Sequence, residues 1–217
     1  MYKNRWFTLL IIIPILFLIS CRDVEKTYWP NGKVKSVIHM KGSLYHGKAE
    51  YFSATGELLL ACAYQNNLLQ GPLIRYYALN KKKEEQHYSK GSLDGLSTIW
   101  YEDGGKQTEI TYMNGILNGP YREYHPDNRI RVEGQYLNGY YSGKWLYYDF
   151  NGTIIGEGRF IHGTGKQRLF FPDGKVHHEV NYKDNLKDGE EIEYDSGNNV
   201  RSIKIYRKDT LVRNLQK

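Results

Sequence analysis

The stretch Gly143-Lys144-Trp145-Leu146-Tyr147-Tyr148-Asp149-Phe150-Asn151-Gly152, continued by Thr153-Ile154-Ile155-Gly156-Glu157-Gly158-Arg159-Phe160, sets two aromatic and β-branched runs on either side of an Asn-Gly pair. Asn and Gly tolerate the positive φ of a tight turn, so the stretch predicts a β-hairpin. Comparable turns are expected at Asn31-Gly32, Thr55-Gly56, Asp103-Gly104, Asp127-Asn128, Asp173-Gly174 and Gly197-Asn198. The links between hairpins also read as turns, from Asn114-Gly115 to Asn118-Gly119, Asn138-Gly139 to Ser142-Gly143 and Asp184-Asn185 to Asp188-Gly189. Each unit is thus two strands and two turns.

Working outward, aromatic residues open successive segments at Tyr28, Tyr51, Tyr76, Trp100, Tyr124, Tyr148, Phe170 and Tyr194, at spacings of 23, 25, 24, 24, 24, 22 and 24. A period this regular is the signature of a repeat array, not of one closed domain. A second aromatic ladder runs through Tyr64, Tyr88, Tyr112, Tyr136, Phe160, Tyr182 and Tyr206, with His39 taking its place in the first unit. Because strand side chains alternate between faces, each ladder keeps to one face of the sheet. Glycines inside strands, at Gly134, Gly156 and Gly158, read as packing devices that let a neighbouring ring approach closely. The expected fold is all-β, an elongated single antiparallel sheet of about eight hairpin units.

This pattern resembles the bacterial variant of the MORN repeat, in which Gly-Lys-Trp-x-x-Tyr-x-x-x-Gly opens a unit and Glu-Gly-x-Tyr/Phe closes it. Gly143 to Tyr148 with Asn151-Gly152 and Glu157-Gly158-Arg159-Phe160 is the best match, and the resemblance covers residues 28–208. Residues 209–217 read as a polar tail. Lys81-Lys82-Lys83 after Asn80 departs from the pattern, so a looser hairpin is expected there. The resemblance implies an elongated, twisted antiparallel sheet of consecutive hairpins, and the repetition with its large exposed faces favours a protein-binding scaffold over an enzyme. Bacterial chains with this variant include YwqK-type antitoxins, which would make an immunity-type role against an envelope-acting toxin the alternative; an enzyme acting on cell-wall or glycan material through aromatic subsites is the third and least favoured reading.

Ahead of the repeats, Lys3 and Arg5 precede an apolar run from Trp6 to Ile19 broken by Thr8 and Pro14. A charged start followed by a short apolar core reads as an export signal over residues 1–20. Its end, Leu18-Ile19-Ser20-Cys21, resembles the lipobox of bacterial lipoproteins, which implies cleavage before Cys21 and a diacylglycerol thioether on it, usually with an N-acyl chain. Several acyl chains hold a protein firmly at a membrane. Residues 21–27 then read as the lipidated start and a short linker. The implied location is the cell envelope, most often the outer membrane, with an envelope protein as the unnamed partner.

Losing residues 1–20 lowers the formal net charge from +6 to +4. That is too mild to argue for nucleic acid, and no module of that kind is present. Once Cys21 is modified, Cys62 is the only other cysteine, so no intramolecular disulfide is available. Within Leu58 to Tyr64 it reads as a buried small hydrophobe.

The best candidate for chemistry is a carboxylate ladder, Glu85, Glu109, Glu133, Glu157 and Glu179, each three residues before a ring of the second ladder and therefore on the opposite face. A translational repeat gives every member the same environment, whereas acid/base pairs need two different ones. Surface pairing is the preferred reading, with Lys83, Arg131, Arg159 and His177 on the same face to offset the charge. Adjacent His177 and His178 point to opposite faces and do not converge on a metal. Thr164-Gly165-Lys166-Gln167 lacks the first glycine and the final Ser/Thr of a phosphate-binding loop. No catalytic residue, metal, cofactor or small-molecule substrate is expected. The richest aromatic stretch, Trp100, Tyr101, Tyr121, Tyr140, Tyr141, Trp145 and Tyr147, is the candidate binding surface, with sheet packing as the competing explanation.

Overall fold

The computed structural model describes residues 23–216; the export signal and Cys21 lie outside the described residues. The chain opens with β1 (Val24–Tyr28), β2 (Val34–Lys41), β3 (Leu44–Phe52), β4 (Leu58–Gln65), β5 (Leu68–Leu69) and β6 (Gly71–Tyr76). It continues through β7 (Lys82–Ser89), β8 (Ser92–Leu93), β9 (Gly95–Trp100), β10 (Lys106–Met113), β11 (Ile116–Tyr124) and β12 (Ile130–Leu137). The remaining strands are β13 (Tyr140–Tyr148), β14 (Ile154–Ile161), β15 (Thr164–Phe170), β16 (Val176–Lys183), β17 (Leu186–Tyr194), β18 (Val200–Arg207) and β19 (Thr210–Gln216).

All 19 strands belong to one antiparallel sheet. The register pairs each with its sequence neighbours; β5 and β6 both lie on β4, and β8 and β9 both lie on β7, each pair being one strand broken by a bulge. The fold is therefore one leading strand followed by eight hairpins. Both ends of the sheet reach beyond the expected repeat bounds of 28 and 208. Val24 to Thr27, read as linker, pair with β2, and Thr210 to Gln216, read as tail, pair with β18. An edge strand is held through its backbone on one side only, so it needs no ring ladder, and every residue of β19 is exposed.

Register also corrects the ladders. The residues that occupy one position before the first turn are Tyr28, Phe52, Tyr76, Trp100, Tyr124, Tyr148, Phe170 and Tyr194, opposite Val34, Leu58, Lys82, Lys106, Ile130, Ile154, Val176 and Val200. Phe52, not Tyr51, is the ladder member. Tyr51 points to the other face, and with Phe52 in the ladder the spacings of 23 and 25 become 24 and 24. The second ladder begins at Met40, which pairs with Tyr45 as Tyr64 pairs with Leu69; His39 lies one residue off.

The two kinds of turn differ. The five-residue connections have a left-handed residue near their end, Gly32, Gly56, Gly104, Asn128, Gly152, Gly174 or Asn198, as expected from sequence. Asn80 (φ 59°) takes the glycine's place before Lys81 and Tyr77 N donates to Lys81 O at 2.8 Å, but Leu79 is left-handed as well (φ 59°) and a long Lys81 N–H to Ala78 O contact at 3.4 Å stands where the other connections close at about 3 Å, so this is the irregular connection, as expected. At the opposite end the links are two-residue turns with positive φ at both positions in seven of the eight hairpins, as at Asn114-Gly115 and Asp184-Asn185. Residues 116–119 are strand, not a second turn. In them Gly119 (φ 125°) makes a bulge whose counterparts are Gly47, Gly71, Gly95, Gly143 and Gly189.

One hairpin lacks the bulge. Register between β14 and β15 runs unbroken from Ile161 opposite Thr164 to Gly156 opposite Leu169. Two missing residues shorten this unit and account for the spacing of 22 in the ladder. The shortfall is bridged by Asn185. Elsewhere Asn67 and Asp209 accept from the backbone one hairpin back, at Tyr45 N and Lys187 N. The Asn185 side chain instead reaches two hairpins back, donating to Gly139 O and accepting from Tyr141 N, both at 2.8 Å. It passes Gly163, where a Cβ would lie 2.5 Å from Asn185 Oδ1.

Losing the bulge brings strands close together at Gly165, the counterpart of Gly143. A Cβ on Gly165 would lie 1.9 Å from the backbone oxygen of Arg159, whereas one on Gly143 (φ 67°) meets nothing within 4 Å. Gly165→Ala is expected to cost at least about 1–3 kcal/mol through overpacking, and Gly143→Ala about 1–2 kcal/mol through left-handed strain. Urea unfolding of both variants checks the order; the reverse order would place the constraint in backbone conformation.

Candidate functional site

A one-layer sheet has two faces, and here they differ chemically. Among the described residues the buried hydrophobics Ile38, Ala49, Cys62, Leu73, Trp145, Phe160 and Val180 lie with the second aromatic ladder on what we term the ring face. The glutamate ladder and the first aromatic ladder occupy the other, the carboxylate face.

On the ring face Trp145 is 3% exposed. It is ringed by Tyr121, Tyr136 and Tyr141 at centroid distances of 5.4, 5.2 and 4.9 Å, and Tyr141 continues to Phe160 (5.2 Å) and Tyr182 (6.3 Å). These separations, several of them edge-to-face, are those of stabilising aromatic pairs. Strand glycines make the space: a Cβ on Gly134 would sit 2.1 Å from the Trp145 ring, and one on Gly158 would sit 2.4 Å from Phe160.

Of the seven candidate surface aromatics, Tyr121, Tyr141 and Trp145 therefore come together as packing, and Tyr147 lies on the same face between Val132 and Gly156. Tyr140 points the other way, 38% exposed and edge-on to His162. Trp100 lies under Lys82 Nζ, and the Tyr101 hydroxyl donates to Tyr124 O at 2.9 Å. The stretch does not assemble into one accessible patch. Tyr136, Phe160 and Tyr182, absent from the candidates, complete the cluster; the second ladder was the signal for them. Trp145→Ala is expected to cost about 3–5 kcal/mol, against at most about 0.5 kcal/mol for Tyr140→Ala, as measured by chemical denaturation.

The carboxylates pair as surface charges do, with partners that differ from those expected. Lys82 reaches Glu85 (2.6 Å), Lys106 reaches Glu109 (2.5 Å), and Lys166 and Arg168 share Glu179 (2.7 Å each). Only Arg159 among the expected cations meets the ladder, at 3.8 Å from Glu157. Lys83 lies over Tyr77, Arg131 binds Glu123, and His177 packs edge-on against Phe171. The reason is the register: the nearest cations stand on neighbouring strands or at strand ends. The first aromatic ladder adds phenols, with Tyr124 and Tyr148 donating to Glu109 and Glu133 at 2.6 Å. The bond to Glu133 is the main cause that pushes the Tyr148 phenol up to about 12.

Sequence reasoning missed Glu191. It occupies the central ring-face position held by Ala49, Leu73, Ser97, Tyr121, Trp145 and Gln167 in earlier hairpins, and it is 6% exposed. Aligning units on their turns exposes this substitution. Three groups surround its carboxylate: Lys187 Nζ at 2.5 Å, His178 Nε2 at 3.3 Å and Lys204 Nζ at 3.4 Å. Burial works against its charge, yet the Lys187 ammonium and His178 hold its pKa below the ordinary 4.5. A depressed folded pKa stabilises above the unfolded value and is lost as pH falls through the folded one. The stability advantage of the parent over Glu191→Gln is therefore expected to be full above about pH 4.5 and to shrink below it, as read from urea midpoints across pH.

Cys62 is buried, and burial pushes its thiol up, consistent with a small core residue. His178 faces Glu191 while His177 turns away, as strand alternation requires. Among the described residues no group of three or more His, Cys, Asp or Glu is placed to hold a metal ion, and no helix is long and apolar enough to cross a membrane.

The MORN repeat variant matches at residues 24–41, 93–114, 117–138 and 164–184. The chain carries MORN-variant repeats, and the first match begins at β1, in agreement with the corrected boundary. No curated protein matches the chain. Among solved structures, a S. aureus TarM mutant in complex with fondaparinux, α-GlcNAc-glycerol and UDP aligns at 10% identity over 78% of this chain and 25% of its own, with a TM-score of 0.19. The TcdB2–TccC3–Cdc42 and TcdB2–TccC3 structures align at 12% identity over 85% of this chain and 13% of theirs, with TM-scores of 0.19 and 0.18. This chain spans a quarter or less of those chains, and overlaps this poor carry no structural argument.

Proposed function

We propose that the protein is a non-enzymatic, lipid-anchored repeat scaffold of the bacterial cell envelope that presents its sheet to a protein partner. The observation that carries this reading is the one-layer sheet, whose carboxylate face has no covering layer among the described residues. Repetition fits a scaffold: successive hairpins offer similar groups at regular intervals, which suits an extended contact better than a single reacting centre. The start of the sheet at Val24, three positions after Cys21, fits anchoring too. With so short a link, an acylated Cys21 would hold β1 close to the bilayer, placing the repeats at the membrane surface.

Two measurements test the two halves of the proposal. Mass spectrometry of the mature N-terminus is expected to find diacylglycerol on Cys21; an unmodified Cys21, or retention of Met1, removes the anchor. Affinity capture on the Cys21→Ser protein is expected to retain a specific envelope protein that is displaced by charge reversal on the carboxylate face. Retention that ignores such reversals would exclude that face as the platform.

A further inference from the structure

Lys144 on β13, Arg159 on β14 and Lys166 on β15 stand directly opposite one another, Lys144 against Arg159 and Arg159 against Lys166. Facing residues on adjacent strands lie about 5 Å apart, and like charges in that position repel. Arg168 joins them from the neighbouring row, where it faces Glu157 and Glu179. Four cations and two carboxylates leave a local surplus of two positive charges. Of the three facing cations only Lys166 has an ion-pair partner within hydrogen-bond distance.

The groups are not equally engaged. Glu179 binds Lys166 and Arg168 at 2.7 Å each. Glu157 offers a single oxygen, Oε2, to Lys144 Nζ and Arg159 NH2, both at 3.8 Å, too long for a hydrogen bond. The Arg159 side chain is 74% exposed and that of Lys144 50%. Glu157, Arg159, Gly165, Lys166 and Arg168 line a shallow cavity of about 300 Å³, the small end of the range for ligand sites. Gly165 contributes no side chain to it, and its neighbours leave no room for one.

From this geometry we infer that the Lys144–Arg159–Lys166–Arg168 cluster on the carboxylate face is a binding site for a multiply charged oxyanion of the phosphate type. The Arg159 fork supplies parallel donors that suit two oxygens of such a group, and the ammonium groups on either side supply point charge. An anion there relieves the repulsion between facing cations, and its several oxygens match donors on three strands. A singly charged carboxylate is already provided within the cluster by Glu157 and leaves the surplus uncompensated. The same group could be a free phosphate compound or a headgroup in a bilayer, and the chemistry of recognition is shared.

Isothermal titration of the purified protein with inorganic pyrophosphate at low ionic strength tests the site, alongside co-sedimentation with phosphatidylcholine vesicles with and without phosphatidic acid. Saturable binding is expected, weakened about tenfold or more by Arg159→Ala and weakened by added salt. Arg201→Ala should leave it unchanged, because Arg201 is exposed and loosely paired with Glu193 at 3.9 Å but lies on β18. Arg159→Ala-sensitive binding of pyrophosphate supports a free anion as the source, and sensitive binding confined to phosphatidic acid vesicles supports a headgroup. Binding to neither probe, or equal losses in both variants, overturns the proposal and leaves the cluster as a surface network that neutralises Glu157 and Glu179.

Discussion

The packing of this sheet follows from the lack of a second layer among the described residues. A sheet normally buries one face against a helix or another sheet; here the ring face can be covered only by its own larger side chains lying down on smaller neighbours. That requires large and small residues to alternate from strand to strand. Trp145 meets the condition with Gly134 on one side and Gly158 on the other, and each of those glycines would collide with a ring if it carried a Cβ. The same requirement fixes the register between hairpins, because a slip of one residue would move the whole row of rings to the opposite face.

Within that constraint the core changes character along the array. Its N-terminal part is aliphatic and small, with Ile38, Ala49, Cys62 and Leu73 in one buried cluster. The middle is aromatic around Trp145, and the far end replaces a core side chain with Glu191 and its three basic neighbours. Since each hairpin touches mainly its neighbours, stability in such an array is close to a sum of local terms. Screening and pH should then act chiefly on the C-terminal hairpins, where charge does the work that apolar contact does elsewhere. Variation in length is absorbed in the same local way: the unit that lacks a bulge is bridged by one asparagine, and the sheet continues in register beyond it.

Period, turn chemistry and strand alternation made the architecture legible from the residues, including the glycines beneath the rings and the opposed faces of the glutamate and tyrosine ladders. What escaped had a common physical origin. Tyr51 and Phe52 are adjacent and both aromatic, so composition does not say which belongs to the ladder; only the pairing of Phe52 with Leu58 does. Likewise, Asn118-Gly119 has the residues of a turn, but a left-handed glycine serves a bulge within a strand equally well. The edge strand β19 and the residues of β1 before Tyr28 carry no ring of the ladders that would mark them, since their contribution is backbone pairing. The aromatic stretch chosen as a surface was conspicuous for its composition, which reports how much hydrophobic area there is and not whether neighbouring glycines allow it to lie flat.

This last distinction bears on where recognition can take place. The ring face uses its aromatic side chains to replace the missing layer, so a partner inserted there would have to displace contacts that hold neighbouring hairpins together. The carboxylate face carries less of this obligation: its ladder glutamates are half-buried, but the Lys and Arg side chains paired with them are about half exposed and can exchange partners with little change in packing. A platform of this kind would favour ligands that compete for charge over ligands that need an apolar pocket. Regular spacing of hairpins then supplies the ruler, and departures from the repeat supply identity, since Lys144, Arg159 and Lys166 face one another only where these three strands meet.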